Sequence, residues 1–345
     1  MENPYDGCKR AFMVILCILL GLVLTGLIAG TVYANYLLNL MNRTENTPQE
    51  TLSQEQIDQI LKEETIAPDE TNAPVVDEEN VNWGEGQGEV IETSDNVVNI
   101  LLIGQDARPG EDRARSDSMI LVTFNKEKKT ITMTSFLRDL YVQIPGYYGT
   151  KLNAAYVLGG MELLDSTLEQ NFGVQVDGNV EVNFSRFAEV IDLLGGVDME
   201  LRQDEANYIN SNSGRYELEA GMQHLDGEQA LLYSRIRKLD PDGDFSRTNR
   251  QRKVINALIE KFRNTKLTTL LSLLDDLLPM ITTDMDNDEI LGMAKELFPM
   301  LAECSIVSQR VPADGMYYLA TINQQSCVVA DMDAARQLLI DTISD

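Results

Sequence analysis

Three patterns of hydrophobic and polar positions divide the chain. From Ala11 to Asn42 there is no charged residue, and the run AFMVILCILLGLVLTGLIAGTVYANYLL is apolar almost throughout. It is long enough to cross a hydrocarbon core of about 30 Å at about 1.5 Å per residue, which predicts a membrane-spanning helix over 11–34. Residues 43–96 show no sustained apolar period. From Val97 onward, short apolar runs alternate with helical periods to the end of the chain.

The third pattern predicts the elements of a domain. VVNILLIG reads as a buried strand. SMILVTFN and KTITMTSF, separated by the polar NKEKK turn, read as a hairpin. LNAAYVLGGMELLDSTLEQNF has helical spacing and is closed by Gly173. GNVEVNF and VDMEL read as strands, with SRFAEVIDLLGG a helix between them. DGEQALLYSRI is a helix with Asp226 as N-cap, and SRTNRQRKVINALIEKFRN a helix capped near Ser246. Helical patterns at 267–278 and 286–298, a strand CSIVSQRVP and a helix from Asp331 complete the series. The mixture predicts an α/β domain, layered α/β/α around a central mixed β-sheet and preceded by one transmembrane helix.

Charge refines the first two zones. Lys9 and Arg10 precede the apolar run, so the positive-inside bias leaves residues 1–10 as a cytoplasmic tail and the rest of the chain extracytoplasmic, on a single-pass anchor in the cytoplasmic membrane. A cleaved signal peptide ending at Val32-Tyr33-Ala34 is the alternative, but the run far exceeds the usual apolar core of about 7–15 residues. Residues 43–96 hold fifteen Asp and Glu against two basic residues, with Pro48, Pro68 and Pro74. Residues 35–96 are therefore expected to form a solvated acidic linker. The core is expected over 97–263, with 264–345 a helical and strand part of the same domain.

Composition removes several function classes. The formal net charge is −27, which argues against nucleic-acid binding. A single histidine, His224, excludes multi-histidine zinc sites and leaves a Ser-His-Asp triad only one centre. No nucleophile elbow accompanies it, so a turn or cap role is expected. LLIGQDAR has one glycine where a dinucleotide fingerprint needs three. Cys304 and Cys327 bracket a strand–loop–strand, and outside the cell they could form a disulfide or remain buried thiols.

The chemistry gathers in three clusters of Arg and Asp. The first follows the first strand: Asp106, Arg108, Arg115 and Asp117, whose two aspartates could converge on a cation such as Mg²⁺. The second is Arg138-Asp139, after the third strand. The third contains Arg235, Arg237 and Lys238, then Asp244, Arg247, Arg250 and Gln251, with seven basic residues between 235 and 253 in an acidic domain. Arg247 and Arg250 lie three apart near a helix N-terminus, and Arg forks suit bidentate phosphate contacts. An ordinary surface salt bridge is the alternative for any one of them. Together they read as a diphosphate site with a divalent ion.

The stretches NILLIGQDAR, RSDSMILVTFN, SFLRDLYVQIPGYYGTKLNAAYVLGG, LLGGVDMEL and LDGEQALLYSRIRKLDPDGDFSRTNRQRKVI closely resemble the LytR-CpsA-Psr family, over about 97–263 and in the family's order. The resemblance implies a Mg²⁺-dependent extracytoplasmic phosphotransferase. Such an enzyme moves a glycopolymer (teichoic acid, capsule or a related polysaccharide) from polyprenyl pyrophosphate to a sugar hydroxyl of peptidoglycan. By position, Asp106 and Asp117 would hold Mg²⁺. Arg115, Arg138, Arg235, Arg237 and Arg247 would grip the pyrophosphate, and Arg108, Asp244, Arg250 and Gln251 would orient it. Asp117 or Asp244 could accept the proton of the attacking hydroxyl. Three positions depart from the family: Leu137 replaces a proline, which is expected to loosen the turn carrying Arg138, Ser118 replaces a threonine, and Ser234 an alanine. A lipid-pyrophosphate sensor or carrier, or a transcriptional attenuator, would be the alternatives. The latter conflicts with a basic cluster outside the cell.

Overall fold

The computed structural model describes residues 30, 32–44, 53, 55, 57, 60, 73–105, 113–241, 243–297 and 303–344. The expected membrane helix falls mostly outside these residues. Residues 32–38 are helical, and no described helix is long and apolar enough to cross a membrane.

The strands, in chain order, are β1 (Asn42–Arg43), β2 (Val97–Gln105), β3 (Ser116–Asn125), β4 (Thr130–Phe136), β5 (Tyr141–Gln143), β6 (Gly149–Lys151), β7 (Gly178–Asn183), β8 (Val197–Leu201), β9 (Gly221–Leu225), β10 (Thr282–Thr283), β11 (Ser305–Val311), β12 (Tyr317–Ile322) and β13 (Gln325–Ala330). The helices are α1 (Asn153–Phe172), α2 (Phe184–Leu193), α3 (Gln203–Ser213), α4 (Gly227–Ser234), α5 (Asp244–Asn264), α6 (Leu267–Leu277), α7 (Asn287–Leu297) and α8 (Met332–Ile343). Seven strands form a mixed sheet in the order β1-β10-β7-β2-β3-β4-β11. The expected hairpin is β3–β4, and β2 lies between antiparallel β3 and parallel β7.

Strand alternation assigns the two faces. Leu101, Ile103, Met119, Leu121 and Phe136 point to the core shared with α1 and α8. Ile120, Val122, Ile131 and Met133 point the other way, where Ile255 and Ile259 of α5 cover them. The far side of α5 carries Val254 and Leu258 into a second core built by α2, α3, α4 and the β8–β9 ribbon. Helix α5 is thus enclosed on both sides. Gly173 closes α1 in the left-handed region (φ 72°), and Asp226 caps α4 by accepting from the Gln229 amide at 2.9 Å, as expected.

Four expectations need correction. The acidic linker is not a free chain over residues 73–96: most of its residues are exposed, but Val81 and Ile91 are buried, Trp83 stacks on Tyr141 at 5.6 Å, and the Ile91 amide donates to Gly173 O. Its scattered apolar residues were hidden by the average composition. Cys304 and Cys327 form no disulfide with each other, because Cys304 is buried against the α5 face while Cys327 belongs to a separate cluster with Tyr141 and Val329. Helix α5 begins two residues before Ser246, following Gly243 (φ 47°), which puts Asp244 in its first turn. His224 lies in strand β9 opposite Asp198, with Nδ1 and Oδ1 2.7 Å apart.

A polar knot ties α1 to the sheet edge. The Asn179 side-chain amide donates to Asp165 Oδ2 at 2.7 Å and Asp284 Oδ2 at 2.6 Å. Burial, with Asp284 adding, pushes the Asp165 carboxyl up to about 7 against the pull of Asn179. A raised carboxyl is stabilising while protonated and loses that contribution as pH rises through its folded value. Unfolding stability should therefore fall from about pH 4 to pH 7 in the native chain. Asp165→Asn should flatten the slope and add about 2–4 kcal/mol at pH 8, measured by urea titration. Separately, Ile91→Ala should cost about 2–4 kcal/mol, a core-sized loss that would be near zero if residues 73–96 were a free linker.

Candidate active site

All the strands that border the central hairpin end at one edge. Strands β2, β4, β7 and β11 run in the same direction and finish there, and antiparallel β3 begins there. Ligands in α/β sheets bind outside the carboxyl ends of strands, where backbone groups are free of the ladder. Asp117 is the second residue of β3, and Arg138-Asp139 follows β4. The amide of Leu137 donates to Val311 O at 3.2 Å, a bond proline could not make. Leu137 therefore ties the turn that carries Arg138 rather than loosening it.

The three sequence clusters meet at this edge. Arg138 Nη1 donates to Asp117 Oδ1 at 2.7 Å, and Arg138 Nε lies 3.5 Å from Asp139 and 3.6 Å from Asp244. Arg247 Nη2 is 2.8 Å from Asp244 Oδ1 and donates to Asp117 O at 3.3 Å. Arg237 Nε is 3.8 Å from Asp244, and Lys151 Nζ is 3.2 Å from Asp139. Asp139 was named only as a member of the second cluster, without a role, and Lys151 was not singled out. Only the family-like block GTKLN hinted at the lysine, because its partner is reached through the β5–β6 hairpin.

Among the described residues, four cations thus face three carboxylates before Arg115 and Arg235 are added. Burial would raise the Asp117 carboxyl, but Arg138, Arg247 and Arg237 outweigh it and hold it below the usual range. Asp244 goes the other way: burial, with Asp139 adding, raises it despite Arg247 and Arg138. Burial also lowers Arg247 to about 10, leaving it cationic at neutral pH. Arg138 Nε and Arg247 Nε are both buried without a hydrogen-bond partner. An excess of cations among the described residues, with two guanidinium N–H groups that make no hydrogen bond, is chemistry suited to an oxyanion.

Arg235 is set by a packing relay. Gly104 ends the apolar run of β2, and a Cβ there would approach Phe184 Cε1 to 2.9 Å. The missing side chain lets Phe184 lie across the strand, and the Arg235 guanidinium stacks 4.9 Å above its ring. Arg115 donates to Asn153 Oδ1 at 3.4 Å and to the Ile60 carbonyl. Asp106 and Arg108 lie outside the described residues.

Arg250 departs from its expected role. It is buried and faces away from Asp117, with Nε donating to Glu205 Oε1 at 2.9 Å, Nη1 to Ile236 O at 3.3 Å and Nη2 to Asp240. Three residues beyond Arg247 on a helix is about 300° of rotation, which with the enclosure of α5 carries it to the α3–α4 side. It holds the segment 235–240 rather than a ligand. Gln251 is buried, and its Oε1 has no partner.

An α/β domain that collects arginines and aspartates at the carboxyl edge of a mixed sheet has the chemistry to grip a multiply charged oxyanion. The chain belongs to the LytR_cpsA_psr family, whose model matches residues 54–338. It is 34% identical over 220 residues to the polyisoprenyl-teichoic acid–peptidoglycan teichoic acid transferase TagU of Bacillus mycoides (strain KBAB4), covering 63% of this chain and 69% of that one. It is 36% identical over 239 residues to TagT of Bacillus subtilis (strain 168), covering 66% and 72%. Among solved structures, TagT bound to LIIa-WTA aligns with a TM-score of 0.61 at 28% identity, over 76% of this chain and 96% of that one. TagT with bound octaprenyl pyrophosphate lipid aligns at 0.56 and 27%, over 76% and 98%.

Replacing Arg250 by Ala strands the buried Glu205 carboxylate, while the part-exposed Asp240 keeps its pair with Arg202 at 2.7 Å. The expected loss is about 3–5 kcal/mol of unfolding free energy, read by urea denaturation. A ligand-binding Arg250 would instead leave stability unchanged.

Proposed function

We propose that this chain transfers a glycopolymer, with its attached phosphate, from a polyprenyl pyrophosphate carrier to a hydroxyl of peptidoglycan. The observation that carries the reading is the pair of buried N–H groups of Arg138 and Arg247 that make no hydrogen bond, beside Asp117 and Asp244. The names of the TagU and TagT relatives, and the octaprenyl pyrophosphate bound by TagT, support the substrate class. The charge-free run 11–34 behind Lys9 and Arg10 supports an anchor in the cytoplasmic membrane with the domain outside.

In this reading Arg138, Arg247, Arg237, Arg235 and Arg115 hold the pyrophosphate oxygens. The acceptor hydroxyl attacks the phosphorus that bears the polymer. A new P–O bond forms, the bridging P–O bond breaks, and polyprenyl phosphate leaves with its charge neutralised by the arginines. Asp244, raised by burial, takes the hydroxyl proton, since a base works best with a pKa nearer the working pH. Asp117, held low beside Arg138, stays ionised.

The described residues hold no cluster of three or more His, Cys, Asp and Glu set for a metal. Mg²⁺ takes one or two carboxylates and fills its remaining positions with water and phosphate oxygens, so an ionised Asp117 fits this chemistry. Asp117 with Asp106 would hold the ion. When bound, it would add charge neutralisation at the pyrophosphate.

The test uses the full chain in detergent, a lipid-pyrophosphate oligosaccharide and a peptidoglycan oligomer. Polymer should move to the oligomer with release of polyprenyl phosphate, and EDTA should suppress it. Arg138→Ala should lower kcat about 10²–10³-fold. The acid limb of kcat should lie above the ordinary carboxylate range, with activity lost as pH falls through the raised Asp244 value, and Asp244→Asn should remove the limb. Tight binding of an unchanged lipid under every condition would make the chain a carrier or sensor instead.

A further inference from the structure

Helix α5 buries a second guanidinium that the pyrophosphate site does not use. Arg252 lies five residues beyond Arg247, about 140° around the helix, and is only 6% exposed. Its Nε and Nη1 are buried without partners, and no carboxylate among the described residues pairs with it. Burial, and then the cation Arg310, push the Arg252 guanidinium down to about 10, so it remains charged at neutral pH.

The sheet places further donors beside it. Ile131 and Met133 point toward α5, so Ser135 of the same strand does too. Strand β11 runs parallel to β4 with Arg310 beside Ser135. Ile306 packs on the α5 face, and Asn256 of α5 donates to Ser308 Oγ at 3.4 Å, so the alternation brings Arg310 to that face as well. Ser135 Oγ is buried without a partner. Arg310 stacks 4.6 Å over the Phe245 ring, donates to Pro312 O at 3.2 Å, and pairs with the exposed Asp314. A buried guanidinium with a second, part-exposed arginine beside it and an unused buried hydroxyl is unfavourable unless an anion joins them.

We propose that Arg252, Arg310 and Ser135 form a second oxyanion subsite, which takes a phosphate group of the transferred polymer. Ser135 precedes Arg138 by three residues, about 10 Å along an extended chain. Phe245, which supports Arg310, adjoins Asp244 in α5. The subsite therefore lies along the same sheet edge as the pyrophosphate receptor, within reach of a phosphate one or two units down a polymer. Arginine forks match phosphate in two parallel hydrogen bonds. The inference rests on the transferase reading for its substrate and on the buried guanidinium for its place.

The experiment uses the full chain with two lipid-pyrophosphate donors, one carrying a neutral oligosaccharide and the other the same oligosaccharide extended by a glycerol phosphate. The native chain should favour the extended donor about tenfold in kcat/KM, one bidentate phosphate contact's worth. Arg252→Gln and, independently, the more accessible Arg310→Gln should bring that ratio close to one while the neutral donor reacts as before. Equal use of both donors by the native chain, or an unchanged ratio in both variants, overturns the subsite. In parallel, calorimetry with glycerol phosphate should find one site fewer in Arg252→Gln than in the native chain, and equal numbers overturn the subsite. If neither donor is consumed, the transferase reading fails, and the calorimetry alone decides the subsite.

Discussion

A guanidinium cannot be buried alone, and this domain is organised around that constraint. Helix α5 carries Arg247, Arg250 and Arg252 within two turns, all of them buried because the helix is enclosed between the sheet and the α2–α4 unit. Each lies at a different angle about the helix and meets a different environment. Arg250 is matched by Glu205 and Asp240 and serves the fold. Arg247 is only partly matched by Asp244, because Arg138 and Arg237 compete for the same carboxylate. Arg252 meets no carboxylate among the described residues. The gradient from full to absent compensation separates scaffold from receptor.

The receptor is rigid because each member is held from behind. Asp117 is in a central strand, Arg138 follows a strand end tied through the Leu137 amide to Val311, and Arg247 lies in the first turn and a half of an enclosed helix. The segment bearing Arg235 and Arg237 is irregular, yet Arg250 binds the Ile236 carbonyl from below and Phe184 supports Arg235 from the side. Preorganised cations need no rearrangement when charge develops on a phosphoryl group, which is where positioning acts in such transfers.

Much of this was legible before folding is considered. Strand and helix periods gave β2, the β3–β4 hairpin, α1, β7, α2, β8, α4, most of α5 and β11. Asp117, Arg138, Asp244 and Arg247 were singled out by residue type and by family resemblance, and the structure brings them within contact of one another. Other elements were not legible: β5 and β6 have three residues each, α3 is mostly polar with few apolar positions to mark a period, and β9, β12 and β13 were not picked out. The packed half of the acidic segment was masked by its own average, since Val81, Trp83 and Ile91 are single apolar residues among carboxylates.

The sequence by itself determined the inventory: which segments bury an apolar face, the excess of arginine over lysine where phosphate is to be held, and the acidic residues that accompany it. Those follow from local periodicity and side-chain chemistry, which need no knowledge of distant contacts. Only the tertiary structure decided which arginine does what. Arg247, Arg250 and Arg252 are chemically identical and nearly adjacent, so their roles depend on what stands opposite each face of α5. The same holds for Cys304 and Cys327, whose separation across two clusters keeps them from bridging, and for Asp117 and Asp244, whose carboxyls are driven in opposite directions by the neighbours that folding assigns them.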